Sequence, residues 1–176
     1  MQPDKPETEP ESGPDAAALH VVGGVLDLAA FRACLVKDQR LIGIDVGTKT
    51  LGLALSDVGR RIASGLETIR RRKFDLDAEA LLDRAAAHRV GGLVIGLPLN
   101  LDGTEGPRSQ STRAFARNLS KLTDLPMLFW DERLSTAAAE RTLIEADQSR
   151  RRRAEVIDKL AATIILQTAL DRMQRP

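Results

Sequence analysis

Cysteine occurs once in the 176 residues, as Cys34, so no disulfide can form within the chain, and this fits a reducing compartment. Histidine occurs only as His20 and His88. A structural or catalytic zinc site needs more nitrogen and sulfur ligands than that. Any bound metal must therefore be held by carboxylates, which suit Mg²⁺ or Mn²⁺. Tyrosine is absent, and the four phenylalanines and one tryptophan are too few for a base-stacking platform. Long apolar runs are also missing. No stretch approaches the ~20 residues that cross a bilayer, and the first residues are acidic where a secretion signal would be basic and then apolar. These absences predict a cytoplasmic protein with no membrane contact. A dominant charge is lacking too: 26 basic against 25 acidic side chains leave +1, which by itself names no partner.

What is present has an uneven distribution. Residues 1–20 hold five acids, one lysine and four prolines; with nothing to bury, they are expected to be a disordered acidic tail. The rest of the chain is then mildly basic. Residues 21–39 read as an N-terminal helical extension, with Asp27 capping a short helix over Leu28–Val36 whose Leu28, Phe31 and Leu35 share one side. Residues 40–176 are expected to form one domain of ordinary size with its own core.

Within that domain, Leu41–Asp45 and Leu51–Leu55 are apolar runs separated by Val46-Gly47-Thr48-Lys49. So short a turn predicts an antiparallel hairpin. Ile62–Ile69 is a third strand and Phe74–Arg89 an Ala/Leu-rich helix. Leu93–Gly96 is a fourth strand, Pro98–Pro107 a polar loop, Arg108–Leu122 a helix, and Met127–Trp130 a fifth strand. Ser135 or Thr136 starts a helix reaching Ala146, Asp147–Arg153 is a basic connector, and Ala154–Met173 is the last helix. Three strands in hairpins followed by helix, strand, helix, strand and two helices predict a mixed α/β sheet with helical crossovers.

Three acidic positions stand where chemistry could use them. Asp45 ends the first strand, Asp131-Glu132 end the fifth, and Asp158 lies near the start of the last helix. Sites in open α/β sheets form at strand carboxyl ends, so Asp45 and the Asp131-Glu132 pair can face one another. Asp158 shares a helical face with Ala161, Ala162, Ile165 and Ala169. A carboxylate on an apolar face is costly to bury unless it is paired or metal-bound. An ion pair with an arginine of the connector is the structural alternative. For Asp45 that alternative is an Asx turn, and for Asp131-Glu132 it is favourable charge ahead of a helix start.

Gly47-Thr48-Lys49-Thr50 directly follows Asp45 and offers close backbone approach, hydroxyls and a cation to a phosphate. Neither a Walker motif nor a dinucleotide glycine fingerprint is present. Basic runs stand at Arg70–Lys73 and at Arg150, Arg151, Arg152 and Arg153, the second one immediately before the helix that carries Asp158. A basic run next to a carboxylate site reads as a clamp for a polyanion, since phosphate contacts dominate nucleic-acid affinity. A solvated charged loop is the bland alternative.

Taken together, three long motifs resemble the YqgF/RuvX family: Gly43–Thr50, Gly96–Pro107 and Trp130–Thr136. The Arg-rich connector and Ile157-Asp158-x-x-Ala161-Ala162-x-Ile164-Ile165-Leu166-Gln167 add to them. The resemblance spans about residues 40–172. It implies an RNase H-like fold, with a mixed five-stranded sheet and helices on both faces. It also implies a metal-dependent endonuclease that processes the 5′ end of pre-16S rRNA, a hydrolase of phosphodiester bonds. The acids it points to are Asp45, Glu132 and Asp158, as catalytic residues and as ligands of two Mg²⁺ or Mn²⁺ ions. Relatives of the junction-resolving kind have a further acid three residues before the last one, which here is Glu155. Lys49, Arg133 and Arg150–Arg153 are the candidates for holding the backbone of a structured precursor RNA, by a monomer or a homodimer. Three rivals stand beside this reading: a Holliday-junction DNA resolvase with the same site, a phosphotransferase of the actin-like kind, and a catalytically idle RNA-binding factor. The second needs two such domains, and 176 residues hold one.

Overall fold

The computed structural model describes residues 24–134 and 150–175. The acidic tail, the helix expected from Ser135 or Thr136 to Ala146, and residues 147–149 lie outside the described residues. In chain order the elements are β1 (Val25–Leu26), α1 (Leu28–Cys34), β2 (Arg40–Val46), β3 (Thr50–Ser56), β4 (Ala63–Arg70), α2 (Phe74–Ala87), β5 (Val90–Leu97), α3 (Pro107–Leu119), β6 (Met127–Asp131), a 3₁₀ turn (Glu132–Leu134) and α4 (Arg150–Gln174).

The strands form one mixed sheet in the order β1-β6-β5-β2-β3-β4. The β2–β3 and β3–β4 pairs are antiparallel, whereas β2–β5, β5–β6 and β1–β6 are parallel. An antiparallel meander with parallel strands added beside its first strand is the RNase H-like arrangement. The hairpin forms where the short turn predicted it, and Gly47 N–H donates to the Thr50 carbonyl at 2.9 Å. Every residue of β5 is buried, as a strand covered on both faces requires.

Alternation along the strands feeds two cores. Ile42, Ile44, Leu51, Leu53, Leu93 and Ile95 pack against Leu81 of α2 and Phe115 and Leu119 of α3. On the opposite face Leu41, Ala54, Val94 and Leu128 meet Phe31 of α1 and Ala162, Ile165, Leu166 and Leu170 of α4. The helices therefore cover both faces, as expected.

Two expectations need correction. The sheet has six strands among the described residues, not five, because Val25-Leu26 pairs in parallel with Met127-Leu128 at the sheet edge. A two-residue strand has no alternation that a sequence pattern can reveal. The second correction concerns the last helix, which begins at Arg150. Arg150–Arg153 are thus its first turn rather than a connector, consistent with arginine being a good helix former. Asp27 caps α1 as predicted, its Oδ1 accepting from Ala30 N–H at 2.8 Å, although the helix ends at Cys34.

Candidate active site

Asp45 is the penultimate residue of β2, and alternation puts it on the α4 face of the sheet, since Ile44 and Val46 belong to the opposite core. Its antiparallel partner in register is Gly52 of β3. A Cβ at Gly52 would stand 2.1 Å from the carbonyl oxygen of Asp158. The missing side chain is what lets the first half of α4 lie directly on the sheet, with Asp158 next to the end of β2. Glu132 follows the last residue of β6. A Cβ at Gly96 of β5 would stand 2.6 Å from Glu132 Oε1 and 2.4 Å from Ile165 Cδ1. Two glycines, on the strands either side of β2, thus make room for two of the three acids, and all three converge at one end of the sheet.

Their charges register the convergence. Burial, and next to it the charge of Asp158, push the Asp45 carboxyl up to about 6, with Arg108 pulling the other way. Burial likewise pushes Glu132 up to about 7; Asp45 adds to the rise, Arg108 again opposes it, and Asp131 contributes least. Desolvation and like charges in a shared site are the two general reasons for a carboxylate to resist ionisation. Among the described residues, no three His, Cys, Asp or Glu side chains stand as a closed set of metal ligands.

Asp45 and Asp158 line a cleft of about 930 Å³. Gly47, Thr48, Lys49 and Thr50 of the β2–β3 turn, Thr68, Arg70 and Arg71 at the end of β4, and Arg108 of α3 line it as well. Lys49 lines the same cleft as Asp45 and Asp158. The cleft is mixed in charge, lined by two acids and four cations among the described residues.

Other candidates have different surroundings. Arg133 is engaged with Asp131, its Nε and Nη2 donating to the carboxylate at 3.0 and 2.6 Å. Its Nη1 reaches the Leu101 carbonyl at 3.4 Å, and it is not among the residues lining the cleft. Asp131, whose part in the motif the sequence left open, is the carboxylate of that pair and is held below the usual carboxylate range by Arg133. Arg150–Arg153 are placed by their backbone at the start of α4, while their side chains, like that of Glu155, lie outside the description. In the Arg70–Lys73 run, Arg71 braces the active-site turn. Its Nη1 donates to the Gly47 carbonyl at 2.8 Å, its backbone N–H to the Lys49 carbonyl at 2.9 Å, and buried Asp77 lies 3.8 Å from its Nε.

Arg108 was not singled out from the sequence. The Gly106-Pro107 helix start ahead of it was legible, because proline suits the first turn and α3 does begin there. Nothing in one-dimensional order says that this turn faces Asp45, more than sixty residues earlier.

The family profile described as "RuvX: Holliday junction resolvase" matches residues 39–172. The chain belongs to the RuvX family. A relative from Roseobacter denitrificans named "Putative pre-16S rRNA nuclease" is 61% identical over 84% of this chain and 92% of its own length. A relative from Paramagnetospirillum magneticum with the same name is 60% identical over 84% of this chain and 95% of its own. Among solved structures, the chain is similar to Thermus thermophilus RuvC in complex with a Holliday junction substrate. That match has 16% identity and a TM-score of 0.48, and covers 77% of this RuvX chain and 96% of the other.

Proposed function

We propose that this RuvX chain is a metal-dependent endonuclease that cuts phosphodiester bonds in the 5′ region of pre-16S rRNA in the cytoplasm. The observation that carries the reading is the convergence of Asp45, Glu132 and Asp158 at one end of the sheet, beside a cleft edged by Lys49, Arg70, Arg71 and Arg108. The names of its 60%-identical relatives support the substrate. The donor set fits hard divalent cations. It offers only carboxylate oxygens, and two of the carboxylates resist ionisation because they are buried next to like charges. A closed three-carboxylate cage is not required, because Mg²⁺ usually takes one or two protein carboxylates and completes its shell with water and phosphate oxygens. Asp45, Glu132 and Asp158 would hold two Mg²⁺ or Mn²⁺ ions. When bound, such ions activate water and neutralise charge on the leaving oxygen.

The chain's own groups have the remaining tasks. The Thr48 and Thr50 hydroxyls and Lys49, on a turn fixed by Arg71, hold the phosphate backbone against the acids. Arg70 extends that contact along β4. Arg150, Arg151, Arg152 and Arg153 lead into the helix that bears Asp158 and are assigned to flanking phosphates, where each contact adds salt-dependent affinity. Arg133, fixed on Asp131, shapes the loop after β5 through the Leu101 carbonyl.

The test is cleavage of a 16S precursor carrying its 5′ leader, with Mg²⁺ or Mn²⁺, alongside a four-way DNA junction. Discrete cuts in the leader are expected, lost in Asp45→Asn, Glu132→Gln and Asp158→Asn while RNA binding persists. Cutting of the junction alone would transfer the reading to a DNA resolvase, and binding of RNA without any cleavage would make the chain an assembly factor.

A further inference from the structure

Arg108 differs from every other cation of the cleft. It comes from the N-terminal turn of α3, lines the cleft and is exposed. Among the described residues, its charge acts on both Asp45 and Glu132. It lines the same cleft as Asp45 and Asp158. Among the described residues it has no ion-pair partner within 4.0 Å, whereas Arg71, Arg84, Arg113 and Arg133 are each paired. The backbone that presents it is fixed. Ser109 is fully buried and its hydroxyl donates to the Pro98 carbonyl, and Arg113 pairs with Glu105 across the loop that leads into α3. A guanidinium with no ion pair among the described residues, on a fixed helix start beside the acids, is placed to receive an anion.

Resting on the nuclease reading above, we propose that Arg108 binds the scissile phosphate itself, its planar donors on the non-bridging oxygens, and stabilises the charge that grows there as the bond breaks. Lys49 and Arg70 hold neighbouring phosphates instead. The guanidinium geometry matters, because its rigid fork matches two phosphate oxygens and an ammonium does not. Losing one preorganised donor of this kind lowers kcat by about 10²–10³-fold.

The experiment compares wild type, Arg108→Ala and Arg108→Lys in single-turnover cleavage of the leader RNA. The same proteins are titrated with that RNA in Ca²⁺ across a salt series, where no cleavage is needed. For Arg108→Ala the expected result is a rate loss of about 10²–10³-fold, a salt slope shallower by roughly 0.7–0.9, and an unchanged Tm. Arg108→Lys should regain the slope but not the rate. If wild type cleaves and Arg108→Ala keeps both rate and slope, the proposal is overturned and the nuclease reading stands. A lost slope with an undiminished rate overturns the assignment to the scissile phosphate. If wild type binds RNA but never cleaves it, a slope change still supports the phosphate contact while the nuclease reading fails. A Tm lowered together with the rate in both variants would make Arg108 structural and overturn the proposal.

Discussion

Asp45 and Glu132 are held protonated well above the range in which they would ionise in an unfolded chain, at about 6 and about 7 against 3.8 and 4.5. Between those limits the folded protein carries more protons than the unfolded one, so its stability falls as pH rises. Below about pH 4 both states are protonated and the effect vanishes; above about pH 7 it is complete. Asp45→Asn removes one ionisation and eases the other. In metal-free buffer it should raise Tm by several degrees at pH 8 and leave it unchanged at pH 4. Two pKa units correspond to about 3 kcal/mol. Adding Mg²⁺ should raise the wild-type Tm more at pH 8 than at pH 5. A wild-type Tm that rises steadily from pH 4 to 8 without metal would contradict this account of the site. The residues behind it were legible one by one: each acid ends a strand or interrupts an apolar helix face, and a family motif surrounds each. Arg108 was not legible, because its meaning lies in a distance to Asp45 and Glu132, and no spacing in the sequence encodes that distance.

At the scale of elements, α4 depends on what two strands lack. Gly52 leaves 2.1 Å between an added Cβ and the Asp158 carbonyl oxygen, a backbone atom that cannot rotate away. Gly52→Ala should therefore lift the N-terminal half of α4 from β3, with a stability loss of about 1–3 kcal/mol as in other overpacked sites. Cleavage should fall further than folding, since Asp158 moves away from Asp45. Thermal unfolding and single-turnover cleavage on the same preparation separate the two effects; unchanged values of both would mean that the helix is not seated as described. Strands β2 to β6 and helices α2 and α3 could be read from the chain because apolar runs, a short turn and Ala/Leu periodicity carry them. The start of α4 could not. Four consecutive arginines read as a solvated connector by charge, while helix propensity, which favours arginine, decides the backbone. The Arg70–Lys73 run contains a similar lesson, since Arg71 belongs to Gly47, Lys49 and Asp77 as much as to any phosphate.

The whole molecule has an edge that the sequence treats as an appendage. Residues 21–39 read as an extension outside the shared core, and the family profile begins only at residue 39. In the fold, however, β1 extends the sheet beside β6, and Phe31 of α1 is fully buried with Leu41, Val94 and Leu128. Two truncations distinguish tail from fold. Removing residues 1–20 should leave Tm and cleavage unchanged, because that segment has no apolar pattern to pack. Removing residues 1–34 takes away an edge strand and the Phe31 side chain, whose loss alone costs about 3–5 kcal/mol by analogy with other buried phenylalanines. Since 1 kcal/mol shifts Tm by about 2–4 °C at this size, a fall of at least about 10 °C is expected. Phe31→Ala in the full chain should reproduce most of it, which separates the loss of packing from the loss of the strand pair. Equal stability of the two truncated proteins would show that β1 and α1 merely rest on the sheet. A large drop on removing residues 1–20 alone would mean that the acidic tail contributes to the folded domain after all.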